Sequence, residues 1–283
     1  MTLHSSLKTM TINCKGQLVE LSTPKVMGIL NATPDSFYDG GSYKNEKDIL
    51  DKVASMLKDG ATFIDLGAYS SRPNAEHVSE AEELQRSVPI VELILKEFPK
   101  TLISIDTFRS EVAKACIEAG AALVNDISAG LLDENMLPTV AKLHVPYIMM
   151  HMRGTPQTMQ QHTQYENLTK DILFYFAERM AAARALGIHD IIADPGFGFS
   201  KTLAQNYELL QHIELFKNLD IPFLVGISRK SMIYKVLDTS PEHALNGTTV
   251  LNTIALQKGA SILRVHDVKE AMECVQLFNQ LNS

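Results

Sequence analysis

The residues of this chain that could do chemistry fall into two groups, one of acceptors and one of cations. Asp106, Asn125 and Asp194 form the first group, and each follows a short apolar run. A carboxylate can accept two parallel hydrogen bonds from a planar donor edge such as an amidine. The acceptor group therefore suits a flat, donor-rich heterocycle.

The second group suits an anion such as a phosphate or a carboxylate. Its members are cationic or can become so, and they are Arg72, Lys230, Arg264 and His266. Ser231 should stand at a helix N-terminus, where free N–H groups and the helix dipole favour negative charge. The alternative for Arg264 and His266 is a salt bridge to a nearby carboxylate such as Asp267. Together the two groups indicate a ligand with a donor-rich ring at one end and phosphate at the other.

The elements that must position these residues alternate along the chain. Short apolar runs occupy residues 26–30, 62–66, 102–105, 122–124, 145–150, 191–193, 223–227 and 261–265. Segments with helical spacing lie between or after them, at residues 48–58, 81–97, 111–119, 165–186, 203–216 and 268–281. Continuous apolar runs are typical of parallel strands that are buried on both faces.

Eight such units in 283 residues favour an α/β fold, a single TIM (β/α)8 barrel, over an open doubly wound sheet. Residues 8–21 stand outside the alternation and are predicted to form a β-hairpin at the barrel bottom. The predicted organisation is one domain over residues 1–283, with residues 1–25 as a hairpin plug. The polar residues after the strands would then meet on the catalytic rim of the barrel.

Composition narrows the class of protein. The net charge of −7 and the lack of a Lys/Arg block give no support for nucleic-acid binding. Three widely spaced cysteines fit packing thiols in a reducing cytoplasm rather than a disulfide framework. We expect no signal peptide, because residues 1–10 contain no apolar run, and no membrane span.

The segments at all eight strand ends match, in order, the motifs of a known family. They are MGILNATPDSFYDGG (27–41), SSRP (70–73), SIDT (104–107), NDISAG (125–130), MMHMRGTP (149–156), DPGFGF (194–199), GISRKSMI (226–233) and RVHDV (264–268). Each motif alone is only moderately specific. Eight in order over essentially the whole chain resemble dihydropteroate synthase, a pterin-binding TIM-barrel family.

The resemblance implies a transferase of folate biosynthesis. The family condenses 6-hydroxymethyl-7,8-dihydropterin diphosphate with 4-aminobenzoate, which gives 7,8-dihydropteroate and pyrophosphate. It uses Mg²⁺ and forms homodimers, and sulfonamides mimic its aminobenzoate substrate. The resemblance therefore implies a Mg²⁺-dependent homodimer that acts on small molecules. The composition predicts a cytoplasmic protein with neither nucleic acid nor membrane as a partner.

The family's site residues carry over to this sequence by motif position. The implied catalytic residues are Asp35, Arg72 and Lys230, and the implied metal residue is Asn31. The implied substrate-binding residues are Ser71, Pro73, Asp106, Asn125, Met150, Asp194, Phe199, Gly226, Ser231, Arg264 and His266. The resemblance assigns the pterin ring to Asp106, Asn125, Asp194 and Lys230, with Met150 as an apolar wall.

The same resemblance assigns the other two parts of the substrates. Asn31, Arg264 and His266 would bind the diphosphate, with Asn31 on or near Mg²⁺. The aminobenzoate would be framed by Ser71, Arg72, Pro73, Phe199 and Ser231. Loss of pyrophosphate leaves a cation delocalised into the dihydropterin ring, which fixed carboxylates would stabilise. These roles imply a dissociative, SN1-like substitution that needs no strong general base.

Two segments depart from the family pattern. The second-strand loop reads Gly67-Ala68-Tyr69 where the family has Gly-Gly-Glu, so any role of that glutamate is not carried over. Ser200 stands where a glycine is common, and we expect a small effect there. Neither change removes a ring-binding or phosphate-binding residue.

Two other functions remain open at this point. Related pterin-binding barrels transfer a methyl group from methyltetrahydrofolate to a corrinoid protein, but they have no reason to keep RVH and SRKS for a diphosphate. A non-catalytic paralogue would bind pterin without condensing it.

The first strand-end loop, NATPDSFYDGG, is predicted to be the mobile part of the site. Pro34 gives one stiff point, and Gly40 and Gly41 give two pliant ones, which suits a lid over the catalytic rim. Asp35 is then a candidate to reach the reaction centre in the closed state. The alternative is a solvated connector.

Overall fold

The apolar runs of the chain form a parallel barrel. The computed structural model describes residues 10–32, 46–69 and 78–282. The barrel strands are β3 (Lys25–Asn31), β4 (Phe63–Gly67), β5 (Leu102–Asp106), β6 (Leu123–Asp126), β7 (Tyr147–Met150), β8 (Ile191–Asp194), β9 (Leu224–Val225) and β10 (Ile262–Val265). They are preceded by the hairpin strands β1 (Thr11–Cys14) and β2 (Gln17–Glu20).

Helices follow the strands around the outside. The α-helices are α1 (Glu46–Lys58), α2 (Glu80–Glu97), α3 (Ser110–Glu118), α4 (Met136–Leu143), α5 (Leu168–Ala185), α6 (Leu203–Gln211), α7 (Ser231–Tyr234), α8 (Leu245–Gln257) and α9 (Val268–Asn282). Within the described ranges, 3₁₀ turns occupy Met159–Gln161, Ile213–Leu219 and Pro241–His243. The segment predicted as one helix over residues 203–216 is therefore α6 followed by a 3₁₀ turn. None of the helices in the described ranges is long and apolar enough to cross a membrane.

The strands pair in the order β8-β7-β6-β5-β4-β3-β10-β9, and every neighbouring pair is parallel. The ring closes through a single bridge between Ala193 and Phe223, where the Ala193 amide donates to the Pro222 carbonyl at 3.0 Å. The strand predicted over residues 223–227 is short because only Leu224 and Val225 pair with β10. The predicted α/β barrel is confirmed.

The hairpin covers the N-terminal end of the barrel. Lys15 and Gly16 have φ values of 56° and 81°, as a two-residue hairpin turn with matched twist requires. Apolar hairpin side chains pack with the lowest inward layer of the barrel strands, which comprises Met27, Phe63, Leu102, Leu123, Ile148, Ile192, Leu224 and Ile262. Backbone N–H of Asn13 also donates to Asp190 Oδ2 at 2.9 Å, just before β8.

The period of two along a strand decides which side chains enter the barrel. Outward residues such as Val26, Leu66 and Val124 pack with the helices in the main core. Residues two positions beyond the lowest inward layer must face inward as well. This middle layer comprises Ile29, Asp65, Ser104, Asn125, Met150, Asp194, Gly226 and Arg264. The apolar bottom of the barrel thus gives way to a polar upper half.

Candidate active site

Arg264 lies between two carboxylates that project from neighbouring parts of the barrel. Its Nε donates to Asp65 Oδ2 at 2.6 Å, and its Nη2 donates to Asp106 Oδ2 at 2.7 Å. Burial disfavours its charge, but the Asp65 and Asp106 carboxylates outweigh burial and raise the pKa of Arg264 above its usual range. The partner considered from the sequence, Asp267, instead binds Arg229 through Nε at 2.9 Å and Nη2 at 2.5 Å.

Asp65 is a site residue that sequence reasoning missed. Its side chain is fully buried, and both of its oxygens accept from Asn125 Nδ2, at 3.3 and 3.2 Å. The available signal was a single charge within the apolar run Phe63-Ile64-Asp65-Leu66. A charge there must be paired, because an isolated buried carboxylate is very costly.

The two predicted ring-binding carboxylates have raised pKa values. Burial raises the pKa of Asp106 to about 7; nearby carboxylates, Asp65 foremost, add to the shift, and Arg264 opposes it. Burial also raises the pKa of Asp194, against the opposing charge of Lys230. The Gly196 amide donates to Asp194 Oδ1 at 2.8 Å and fixes that carboxylate.

Lys230 follows β9 and lies against the segment from Asp194 to Phe199. Its Nζ donates to the Phe197 carbonyl at 2.5 Å and stands 4.9 Å from the centroid of the Phe199 ring. Burial lowers the pKa of Lys230 to about 8, and the Asp194 charge opposes that shift. Lys230 is therefore mostly protonated at neutral pH and loses its charge as the pH rises past about 8.

His266 is a neutral imidazole rather than a cation at this site. Its backbone N–H donates to Ser228 Oγ at 3.1 Å, and the Ser228 hydroxyl lies 3.0 Å from His266 Nδ1. The hydroxyl can give its proton to Nδ1, which leaves Nε2 as the protonated ring nitrogen. Burial, with Arg264 and Arg229 nearby, lowers the pKa of His266 to about 4. The cationic role considered for this residue is therefore replaced by a neutral N–H at physiological pH.

Lys201 is a second residue without a role in the sequence analysis. Its side chain is buried, and Nζ lies 2.8 Å from the Gly196 carbonyl, 2.9 Å from the Phe199 carbonyl and 3.1 Å from His151 Nδ1. Burial lowers the pKa values of Lys201 and His151 well below their usual ranges. The three contacts fix Nζ between the end of β7 and the loop that follows β8, so this lysine holds the loop that carries Phe199.

Gly196 lets that loop approach the end of β7. Its φ is 70°, and an added Cβ would lie 2.1 Å from the His151 carbonyl oxygen. Only glycine fits such an approach without displacing backbone. The close packing of the two loops brings Phe199 to the apolar side of the site, where it packs against a cluster of Ile127, Met150, Met152 and Met159.

Both departures from the family pattern make specific contacts. Ser200 has a φ of 51°, and its Oγ accepts from the Arg153 amide and donates to the Arg153 carbonyl, each at 2.8 Å. The Tyr69 hydroxyl accepts from Gln157 Nε2 at 2.9 Å, and its ring packs edge-on against Phe108 at 5.1 Å. Ser200 therefore ties the loop that follows β8, which contains Gly196, to the loop that follows β7.

The structure brings most of the predicted site residues to one rim. Asn31 ends β3, and Ser231 begins α7 directly after Lys230. Asp35, Ser71, Arg72 and Pro73 lie outside the described residues, so their places in the site stay predictions. The proposed lid around Pro34, Gly40 and Gly41 lies there too.

The upper half of the barrel is therefore lined by buried charged and polar side chains. Comparison with known proteins identifies the family of the chain. The family model described as "Pterin binding enzyme" matches residues 27–266. Dihydropteroate synthase from Escherichia coli strain K12 is 42% identical over 270 residues, which covers 95% of each chain. The chain belongs to the dihydropteroate synthase family.

Solved dihydropteroate synthases share its fold closely. The Yersinia pestis enzyme in complex with a sulfonamide drug has a TM-score of 0.90 at 41% identity, over 96% of this chain and 99% of that one. The Xanthomonas albilineans enzyme with 4-aminobenzoic acid has a TM-score of 0.89 at 34% identity, over 97% and 99% of the two chains. The family resemblance inferred from the strand-end motifs is confirmed.

Proposed function

We propose that this chain condenses 6-hydroxymethyl-7,8-dihydropterin diphosphate with 4-aminobenzoate in folate biosynthesis, as a dihydropteroate synthase. The observation that carries the proposal is the space at Gly226, between Arg264 and Lys230. A Cβ added at Gly226 would meet no atom of residues 10–32, 46–69 or 78–282 closer than 3.9 Å, so no side chain from these ranges fills this position. A flat ring at this position would lie next to the side chains of Asp106, Asn125 and Asp194, which belong to the same inward face of the barrel. The family's pterin substrate has such a ring, with a donor edge for these acceptors.

The site's charges suit a dissociative substitution. The C–O bond to the diphosphate breaks, and its electron pair leaves with pyrophosphate. The carboxylates of Asp106 and Asp194 stabilise the ring cation that results, while Arg264 and the His266 N–H stabilise the departing oxygens. The amino nitrogen of aminobenzoate then forms the new C–N bond and releases one proton. Since that nitrogen is already a free nucleophile, the site needs no strong base.

Mg²⁺ fits this site as an ion carried by the diphosphate. Among the described residues, no group of three His, Cys, Asp or Glu side chains could hold a metal ion. Mg²⁺ commonly binds to substrate phosphates and one or two protein oxygens and keeps several waters, so the Asn31 amide oxygen suffices as a protein ligand. The ion would supply positive charge to the leaving group. We expect the activity to be lost in EDTA and restored by added Mg²⁺.

The aminobenzoate is proposed to lie on the outer side of the ring site. Phe199 would pack against its ring, and its carboxylate would lie at Ser231, where α7 begins. Ser71, Arg72 and Pro73 would complete this subsite, and Asp35 would approach the reaction centre from the first loop. Inhibition by sulfonamides should therefore be competitive with aminobenzoate.

A homodimer in the cytoplasm is also proposed. Val236, Leu237, Val250 and Leu277 are each at least half exposed, and they lie on or beside α8 and α9, which pack together. The cysteines are free and buried, in keeping with a reducing compartment. Light scattering should give twice the chain mass, and cell fractionation should place the protein in the cytoplasm.

The decisive experiment for the function is a pyrophosphate-release assay with purified protein. We expect release from the pterin diphosphate to depend on added 4-aminobenzoate and to yield 7,8-dihydropteroate in equal amount. Tight binding of the pterin diphosphate without release would identify a non-catalytic paralogue instead. Methyl transfer from methyltetrahydrofolate to a corrinoid protein, without condensation, would identify the other alternative.

The kcat/KM for the pterin diphosphate should follow a bell-shaped pH profile with its maximum between about 7 and 8. Burial raises the pKa of Asp106 to about 7, so the carboxylate that accepts from the ring forms as pH rises through that value. Burial lowers the pKa of Lys230 to about 8, so the cation is lost above it. Asp106→Asn should remove the rising limb and leave the falling one. A flat wild-type profile from about pH 6 to 9 would contradict this assignment.

A further inference from the structure

We propose that Asp65 is a positioning residue that decides which atoms of Asn125 and Arg264 face the substrate. The proposal rests on the function proposed above and adds a residue that touches neither the ring nor the diphosphate. Asp65 lies in the middle inward layer of the barrel and is fully buried. Its partners Asn125 and Arg264 belong to different parts of the predicted site, the ring end and the diphosphate end.

The effect on Asn125 follows from the chemistry of the two side chains. An ionised carboxylate only accepts hydrogen bonds, whereas an amide has one donor end and one acceptor end. Both oxygens of Asp65 therefore hold the NH₂ end of Asn125, at 3.3 and 3.2 Å. The Oδ1 end is turned away, and no donor from residues 10–32, 46–69 or 78–282 reaches it. Asn125 thus offers an acceptor to a donor edge of the ligand.

The effect on Arg264 is similar. Its Nε donates to Asp65 at 2.6 Å and its Nη2 to Asp106 at 2.7 Å, so one edge of the guanidinium faces the carboxylates. Within the described part of the chain, Nη1 has no carboxylate partner. Because the guanidinium is planar and rigid, fixing that edge also fixes the direction in which Nη1 can donate to an anion.

Exchanging the acid and the amide between positions 65 and 125 distinguishes this positioning role from simple charge balance. In Asp65→Asn the new amide accepts from Arg264 through its oxygen at the place of Oδ2, and its NH₂ group takes the place of Oδ1, which accepts from Asn125 Nδ2 at 3.3 Å. The contact between two NH₂ groups favours the flipped Asn125, which presents a donor to the ring's donors. In the double variant Asp65→Asn/Asn125→Asp, the amide at position 65 donates to a carboxylate at position 125, and an acceptor faces the ring again. The double variant also keeps the net charge of the wild type.

The test is titration calorimetry with 6-hydroxymethylpterin, a ring probe without diphosphate. We expect Asp65→Asn to weaken its binding by roughly 10- to 100-fold, the effect of one unpaired polar group. The double variant should recover at least about tenfold of that loss. Thr101→Val is the matched control, since Thr101 lies just before β5 and outside the inward polar layer, is buried, and its Oγ1 has no hydrogen-bond partner among the described residues. It should leave the affinity unchanged.

The proposal is overturned if Asp65→Asn binds the probe as the wild type does, or if the double variant is no better than the single variants. If Asp65→Asn alone does not fold, the affinity for the ring probe is compared between Asn125→Asp and the double variant. A double variant that binds no better than Asn125→Asp overturns the proposal in that case as well. Wild-type pyrophosphate release is assayed on the same preparations. Its absence would overturn the proposed function, while the ring affinities would still decide the role of Asp65.

Discussion

Replacement of Lys230 by methionine should lower kcat/KM for the pterin diphosphate by roughly 10²- to 10³-fold. Methionine keeps the length and apolar packing of the stem, so the change removes the ammonium group alone. The buried Asp194 then loses the cation that opposes its burial, and the ring loses a charged donor. Lys230 and Asp194 interact through their charges without a direct ion-pair contact, so the loss is bounded by the roughly 3–5 kcal/mol of a broken buried ion pair; we expect about 3–4 kcal/mol in the transition state, at a factor of ten for each 1.4 kcal/mol.

The measurement is steady-state pyrophosphate release with saturating aminobenzoate. Lys235→Met serves as the control because it makes the same change five residues on, at an exposed position, and it should retain wild-type kinetics. Thermal denaturation should show both variants folded, since Lys230 Nζ donates to a single backbone carbonyl of the described residues, that of Phe197. Undiminished activity in Lys230→Met would remove Lys230, and with it the ring site around Gly226, from the catalytic assignment.

The location of the site could be predicted from the sequence because strand geometry is regular. Residues such as Asp106, Asn125 and Asp194 end apolar runs, and parallel strands of a barrel end on one rim. The same period of two places Asn125 and Asp194 on the inward face, two residues beyond Leu123 and Ile192. No knowledge of side-chain contacts is needed for either step.

The partners of these residues could not be predicted, because they depend on register across the barrel. Arg264 and Asp65 are 199 positions apart and meet only because β10 and β4 both flank β3. From the sequence, Asp267 was a plausible partner for Arg264, being close along the chain. The neutral state of His266 likewise depends on burial beside Arg264 and Arg229. Charge states and hydrogen-bond partners are therefore products of the tertiary structure.

The effect of a departure from the family pattern also could not be predicted from the sequence, as Ser200 shows. Ser200 was expected to have a small effect as a replacement for glycine. The structure adds that Ser200 holds a positive φ while its hydroxyl binds both backbone groups of Arg153. Two hydrogen bonds offset the strain of that conformation, so this chain joins the two loops through a side chain that glycine does not have.

Replacement of Lys201 by methionine should lower the melting temperature by roughly 6–15 °C and also reduce kcat/KM. The Lys201 Nζ contacts the carbonyls of Gly196 and Phe199 and the His151 ring. Methionine fills the same space but removes these contacts; the Gly196 carbonyl keeps the Phe199 amide at 3.1 Å, whereas the Phe199 carbonyl and the His151 ring lose the Nζ contact, at about 1–3 kcal/mol each before relaxation. A total of about 3–5 kcal/mol corresponds to a melting shift of this size in a large domain.

The kinetic effect distinguishes a loop anchor from a purely stabilising residue. The Gly196 amide holds the Asp194 carboxylate, so release of the Gly196 carbonyl should loosen that carboxylate and raise KM for the pterin diphosphate about tenfold or more. Lys269→Met, at a lysine whose side chain is 69% exposed, should change neither quantity. A Lys201→Met protein that melts earlier but keeps the wild-type KM below its transition would show that Lys201 stabilises the fold without positioning Asp194.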